Sequence, residues 1–238
     1  MVKSILWEEG KWHEESFDFL SLMEKDGIYE TMSVVDGKVM DLQRHKDRFA
    51  KGCQALGLSS GPGPTPPCDQ KGEWTLRWAR WKGGSPWGMA HLWEGSLQPP
   101  KGVVLQVGCV GLSDVPTVPA PDVKHLSVLG RTEVRKSLKQ ERGWDDYFVV
   151  EGGEVLEGSH WAVMGLWDGV WIVPSAKQGM LRSTKVASLL VTKSFEEQPL
   201  EEGRIEVDDL IQATDLRGPS SSGIRTLKLA SDALDYLK

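Results

Sequence analysis

The sequence is short of cysteine, of long apolar runs and of positive charge, and each shortage removes a class of function. Its three cysteines (Cys53, Cys68 and Cys109) are odd in number and widely spaced over 238 residues. They offer neither zinc-ligand spacing nor a disulfide framework, so no metal site is expected and a reducing, cytoplasmic setting is. No apolar stretch approaches the ~18 residues that span a bilayer. The opening segment MVKSILWEEGKWHEE carries neither the apolar core nor the cleavage pattern of a secretion signal, so no membrane partner is expected. Lysine and arginine total 28 against 34 aspartates and glutamates, a net charge of −6. That balance argues against a nucleic-acid backbone as the main partner. Tyrosine and phenylalanine are scarce as well, at three and five, whereas tryptophan reaches eleven. The cluster Trp74, Trp78, Trp81, Trp87 and Trp93 suggests a stacking platform for bases or sugars. Only Arg77 and Arg80 interleave it with positive charge, so packing is the preferred reading, because each indole buries a large area.

What is present is an ordinary globular composition, with 39% hydrophobic and 26% charged residues, at a length that fits one large or two small domains. GIYETMSVVDGKVMDL reads as two strands joined by a turn at Asp36-Gly37. DLQRHKDRFAKGCQALGL reads as a helix, with Asp41 as N-cap, an apolar face of Leu42, Phe49, Cys53 and Leu56, and Gly57 as terminator. WTLRWARW and VVLQVGCVGL are further strands, separated from the helix by the irregular SSGPGPTPPCDQKG. The proline-rich GLSDVPTVPAP reads as a connector, since its prolines cannot pair inside a sheet. This divides the chain into an N-terminal α+β domain (residues 1–110), a linker (111–121) and a C-terminal α+β domain (122–238). In the second domain a helical pattern runs from Leu126 to Gly143. Hairpins follow around Gly152-Gly153 and Asp168-Gly169, then a helix from about Met180, a short strand and a terminal helix. Mixed elements with hairpin connections define an α+β class.

A few residues stand out as candidates for chemistry. Lys124 lies where the extended, proline-set segment becomes a helix. A two-residue turn at Gly152-Gly153 pairs Val155 with Val150 and Glu157 with Phe148. Glu157 would then share a face with Val155, Val150 and Phe148, where a carboxylate is costly unless a cation meets it. QGMLRSTKVASLL places free backbone amides, including those of Met180 and Leu181, at a helix N-terminus suited to an anion. GPSSSGIR adds the hydroxyls of Ser220 and Ser221. Arg48 lies beside the apolar stripe of its helix, able to reach inward or to remain solvated. An amine, an acid and several anion anchors together suit pyridoxal 5′-phosphate, which needs one of each.

DGIYETMSVVDGKVMDLQRHKDRF, VKHLSVLG, EVLEGS and GMLRS occur in the order and at roughly the spacing of the class IV aminotransferases, and from about Asp26 to Ile224 the chain resembles that family. The resemblance implies a two-domain, fold-type IV enzyme similar to D-amino-acid aminotransferase, a homodimer with pyridoxal 5′-phosphate between the domains. It implies that Lys124 bonds the cofactor's aldehyde carbon and that Glu157 pairs with its ring nitrogen. Arg48, Met180, Leu181 and Ser220 or Ser221 would hold the phosphate, and Tyr29 and Thr31 would line the pocket of a small amino substrate. Ser127 and Ala162 stand where the family usually has asparagine, and Leu181 where it often has threonine. Lys-His-Leu at 124–126 resembles the branch of 4-amino-4-deoxychorismate lyase, which releases 4-aminobenzoate and pyruvate on the way to folate. Glu-Gly-Ser and Ile-Tyr-Glu resemble the aminotransferases of branched-chain or D-amino acids instead. A degenerate, noncatalytic member is the third reading.

Overall fold

One long strand, Gly27–Val35, serves two cores at once, because successive side chains point to opposite faces. The computed structural model describes residues 4–8, 10–59, 63–64, 71–85, 88–94, 106–120, 122–167, 170–174, 179–184, 186–187, 200–203 and 227–230. The strands β1 (Ser4–Glu8), β2 (Lys11–Glu14), β3 (Gly27–Val35), β4 (Lys38–Val39), β5 (Glu73–Trp81) and β6 (Met89–Glu94) form one sheet in the order β2-β1-β6-β5-β3-β4. All its pairings are antiparallel. On one face Ile28, Met32 and Val34 pack with Trp74, Leu76 and Trp78 against Phe49 and Cys53 of helix α1 (Leu42–Ala55). On the other, Tyr29 packs with Phe19, Ala79, Met89, Leu126 and Leu129. Trp74 and Trp78 are thus core residues, while Trp87 lies outside the described residues.

The turn at Asp36-Gly37 has φ of 47° and 75°, the left-handed pair that closes a two-residue hairpin. Asp41 precedes α1 as expected but is itself left-handed, and its side chain makes no capping bond. The strands β1 and β2 have no counterpart in the sequence reading.

In the second half, β7 (Val107–Gly111) runs parallel to β8 (Asp146–Glu151), which pairs antiparallel with β9 (Glu154–Gly158). The boundary expected at residue 110 falls within β7, whose partner is β8. A further sheet has the order β12-β11-β10-β13, from β10 (Ala162–Trp167), β11 (Val170–Pro174), β12 (Leu200–Gly203) and β13 (Leu227–Ala230). The helical pattern from Leu126 to Gly143 divides into a 3-10 segment (Leu126–Gly130) and helix α2 (Arg131–Arg142), which Gly143 ends at φ 72°. The helix expected from Met180 has its first helical residue at Thr184, with Ser183 Oγ accepting from Val186 N at 3.2 Å. The expected terminal helix lies outside the described residues. Helices and hairpin-connected sheets make this an α+β fold.

The β8–β9 hairpin departs from its expected register. Val150 does face Val155 across the Gly152-Gly153 turn, but Glu157 faces Val149, not Phe148, because the register shifts between Val149 and Val150. The bulge leaves Leu156 as an extra residue and turns Glu157 to the face of Val149 and Tyr147, away from the Phe148–Val155–Trp161 cluster.

Leu76 is fully buried between β3, β6 and α1, whereas Val35 is 39% exposed. Leu76→Ala is expected to lower stability by about 2–5 kcal/mol in urea unfolding, and Val35→Ala to leave the midpoint nearly unchanged.

Candidate functional site

The bulged hairpin, the 3-10 segment and β3 converge on an open cleft of about 520 Å³ lined by Tyr29, Thr31, Lys124, Glu157 and Leu181, among others. Lys124 reaches it from a fixed backbone. Its carbonyl accepts from Tyr29 N at 2.9 Å, and Val123 N donates to Ala120 O at 2.9 Å. The neighbouring His125 caps the 3-10 segment: its Nδ1 accepts from Ser127 N at 3.2 Å, so Nε2 carries the proton toward Asp26 Oδ1 at 3.3 Å. Asp26 is held in turn by Lys82 at 2.6 Å. Lys124 is 7% exposed, and its amine lies 4.9 Å from the centre of the Tyr29 ring. Burial pushes the Tyr29 hydroxyl up to about 12, so it stays protonated.

Glu157 is 6% exposed and accepts from Arg131 NH1 at 2.8 Å and from Leu181 N at 3.2 Å. Burial nonetheless raises its carboxyl above the ordinary range, against the opposing pull of Arg131, the Leu181 amide and Lys124. Arg131 is 1% exposed and further donates Nε to Pro116 O at 2.7 Å and NH1 to Ser159 O at 3.3 Å, while its NH2 is buried with no hydrogen-bond partner among the described residues. A buried carboxylate that its neighbours leave above its normal range, next to a guanidinium with a donor to spare, has the polarity of a site completed by a ligand.

Arg48 lies outside the lining of this cleft. Its Nε and NH2 clasp Glu30 at 2.6 and 2.7 Å, His45 Nδ1 meets Glu30 at 2.8 Å, and Arg48 NH1 donates to Arg182 O at 2.8 Å. Burial would raise Glu30, but Arg48 and His45 outweigh it and hold the carboxyl far below its usual value. Arg48 therefore reaches the 180–184 segment through backbone, with its charge answered by Glu30. Met180 is buried beside Leu181, and Ser220 and Ser221 lie outside the described residues. Arg77 stacks over Phe19 and Trp93 at 5.1 and 4.8 Å, and Arg80 bonds Ser59, so neither lines the cleft.

Sequence reasoning missed Glu30, Arg131, Ser159 and His160. Two signals were available. Glu30 alternates with Ile28 and Met32 on a strand, so it had to be buried. Arg131 opens a helix, where the dipole disfavours a cation, so a specific partner was implied. The placement of Ser159 and His160 depends on the turn after β9 and has no local signal.

Comparison with known proteins agrees with this architecture. The solved structures it resembles include the fold IV transaminase CpuTA1 from Curtobacterium pusillum, at 21% identity and a TM-score of 0.64 over 88% of this chain and 85% of that one. A branched-chain aminotransferase from Thermoproteus uzoniensis, solved with norvaline, gives 18% identity and a TM-score of 0.66 over 88% and 80%. A hypothetical aminotransferase from Mycobacterium tuberculosis in its PLP-bound form gives 18% and 0.63 over 87% and 83%. The fold is thus that of the fold-type IV enzymes. The family model for amino-transferase class IV matches residues 68–226, and the chain belongs to that family. No curated protein matches it.

Two outcomes test the electrostatics. Arg131→Met, which strands a buried carboxylate, is expected to cost about 3–5 kcal/mol in urea unfolding, much of it recovered when Glu157→Gln is added. Glu30 has its folded pKa depressed, so its contribution is complete above its unfolded value of about 4.3 and is lost as pH falls below it. The stability gap between the native chain and Glu30→Gln is therefore expected to be constant at neutral pH and to shrink in acid, read from unfolding curves at stepped pH.

Proposed function

We propose that the chain is a pyridoxal-5′-phosphate-dependent lyase that converts 4-amino-4-deoxychorismate to 4-aminobenzoate and pyruvate. The observation that carries the cofactor reading is the meeting of Lys124 and Glu157 in one cleft. The under-compensated carboxyl of Glu157 suits a cationic ring nitrogen, whose charge would draw its pKa back down. The solved Mycobacterium tuberculosis neighbour in PLP-bound form is consistent with this. The lyase reading rests on Lys-His-Leu at 124–126.

In this reading the bound cofactor supplies an electrophilic carbon for amines and a ring that accepts electrons. Lys124 would hold that carbon and, as a free amine, would be the base that moves a proton at the substrate carbon bearing nitrogen. Glu157 would favour the protonated ring nitrogen, and Arg131 holds the carboxylate in place. The amides of Met180 and Leu181, with the hydroxyl of Ser220 or Ser221, would hold the phosphate, the Leu181 N–H giving up its bond to Glu157 to do so. Arg48, whose NH1 donates to the Arg182 carbonyl beside this segment, would join them as a phosphate ligand. Tyr29 and Thr31 line the substrate side. Loss of the ring proton and expulsion of pyruvate leave an aromatic product, so the protein need only hold the ring and move protons. We take the active form to be a cytoplasmic homodimer with the cofactor between residues 1–110 and 122–238.

A second reading, transamination of branched-chain or D-amino acids, is favoured by the branched-chain aminotransferases among the solved neighbours. With the cofactor-loaded chain, release of 4-aminobenzoate and pyruvate from 4-amino-4-deoxychorismate is the expected result. Keto-acid-dependent amino transfer without an aromatic product would replace the lyase by the aminotransferase. Borohydride reduction is expected to fix the cofactor to Lys124, and Lys124→Ala to lose the visible absorption band. A native chain with no band would return the protein to a noncatalytic role.

A further inference from the structure

We propose that Arg131 is a positioning residue for the proton of the cofactor's ring nitrogen: by its contact with Glu157 it keeps that carboxyl ionised, so that a proton shared by the two groups rests on the ring. This rests on the cofactor-dependent reading above and gives a role to a residue that neither the sequence motifs nor the fold assigns.

The guanidinium is fixed by more than its acid. Nε donates to Pro116 O at 2.7 Å and NH1 to Ser159 O at 3.3 Å, while the Arg131 carbonyl accepts from Tyr147 Oη at 3.5 Å. Arg131 is 1% exposed and opens α2, which follows directly on the 3-10 segment Leu126–Gly130. It is therefore held in place independently of any ligand in the cleft whose wall it shares with Lys124 and Glu157. The two oxygens of Glu157 are divided between donors. Oε1 accepts from Arg131 NH1 at 2.8 Å and Oε2 from Leu181 N at 3.2 Å. Once the Leu181 amide turns to the phosphate, Oε2 is available to the ring nitrogen and Oε1 stays with the guanidinium.

The charges around the carboxyl decide where the proton goes. Burial by itself drives a carboxyl to hold its proton. Among the described residues, the titratable side chains that act on Glu157 are Arg131, Lys124 and Tyr147, and His160 shares the cleft wall. Burial lifts the Tyr147 hydroxyl well above its ordinary range, and burial with nearby cations holds His160 well below its own, so both are neutral. Lys124 is committed to the cofactor's carbon, and its charge changes in the course of the reaction. A guanidinium keeps its charge at every working pH, which makes Arg131 the standing cation beside the acid. It touches the carboxyl directly and meets the ring only across it, so its attraction for the carboxylate exceeds its repulsion of a cationic ring. The proton then leaves oxygen for nitrogen: an O–H bond gives way to an N–H bond, with no change of oxidation state. Without Arg131 the buried carboxyl would hold the proton itself, and the ring nitrogen would stay neutral.

The test uses the full chain, first without cofactor and then loaded with pyridoxal 5′-phosphate isotopically labelled at the ring nitrogen. Without cofactor at neutral pH, the infrared bands that disappear in Glu157→Gln are expected to be those of an ionised carboxylate. Arg131→Gln is expected to replace them with the carbonyl stretch of a protonated acid. In the loaded chain the nitrogen NMR shift reads ring protonation directly. The ratio of protonated to neutral ring is expected to fall by about tenfold or more in Arg131→Gln and to stay within about threefold of native in Arg131→Lys, which keeps the charge. A purely structural role for Arg131 would lower stability in both variants and leave the nitrogen shift where it was. Equal shifts in the native chain and a folded Arg131→Gln would overturn the inference and leave the cofactor reading standing. A protonated Glu157 in the cofactor-free native chain would overturn it too, whether or not Arg131→Gln folds. A native chain that forms no visible band would overturn the cofactor reading and this inference with it.

Discussion

A carboxylate taken out of water must be met by positive charge or give up its own, and the cleft is organised around how Glu157 meets that demand. Its partner, Arg131, comes from the first turn of α2. The same guanidinium holds the Pro116 and Ser159 carbonyls, so one side chain ties the 112–118 segment, helix α2 and the turn after β9 into a single wall. The Leu181 amide closes the other side of the carboxylate. If this contact were lost, the elements that form the cleft would have no common reason to converge.

The contrast with Glu30 separates structure from function within one residue type. Both carboxylates are buried beside an arginine. Glu30 is clasped by two nitrogens of Arg48 and by His45, and its pKa falls. Glu157 is met by one nitrogen of Arg131 and one amide, and its pKa rises. A carboxylate that its own protein fully compensates serves the fold. One left partly uncompensated is poised for a cation that arrives with a ligand. Arg48 is the cation that lowers Glu30, and it also donates to the Arg182 carbonyl.

Much of the fold was legible because it rests on local rules. The left-handed pair at Asp36-Gly37, the apolar face of α1, the Gly143 terminator and the Gly152-Gly153 turn are each written in a few adjacent residues. The candidate site was legible where a residue contradicted its surroundings: Lys124 beside a proline-set junction, and a glutamate amid strand residues. The register of Glu157 was not legible, because a bulge depends on what the two strands pack against, and a shift of one residue reverses the face. The pairing of β7 with β8 was hidden for a similar reason. A parallel partner across more than thirty residues leaves no local trace.

By itself, then, the sequence determined the α+β class and many of its elements, since turn chemistry, periodicity and residue type are properties of neighbours along the chain, and it marked Lys124 and Glu157 as candidates. Only the tertiary structure decided that Arg131 answers Glu157, that Arg48 is spent on Glu30, and that His160 enters the wall of the cleft. Those outcomes turn on distances between residues 18 to 28 positions apart, where burial and charge act through space and no pattern in the chain records them.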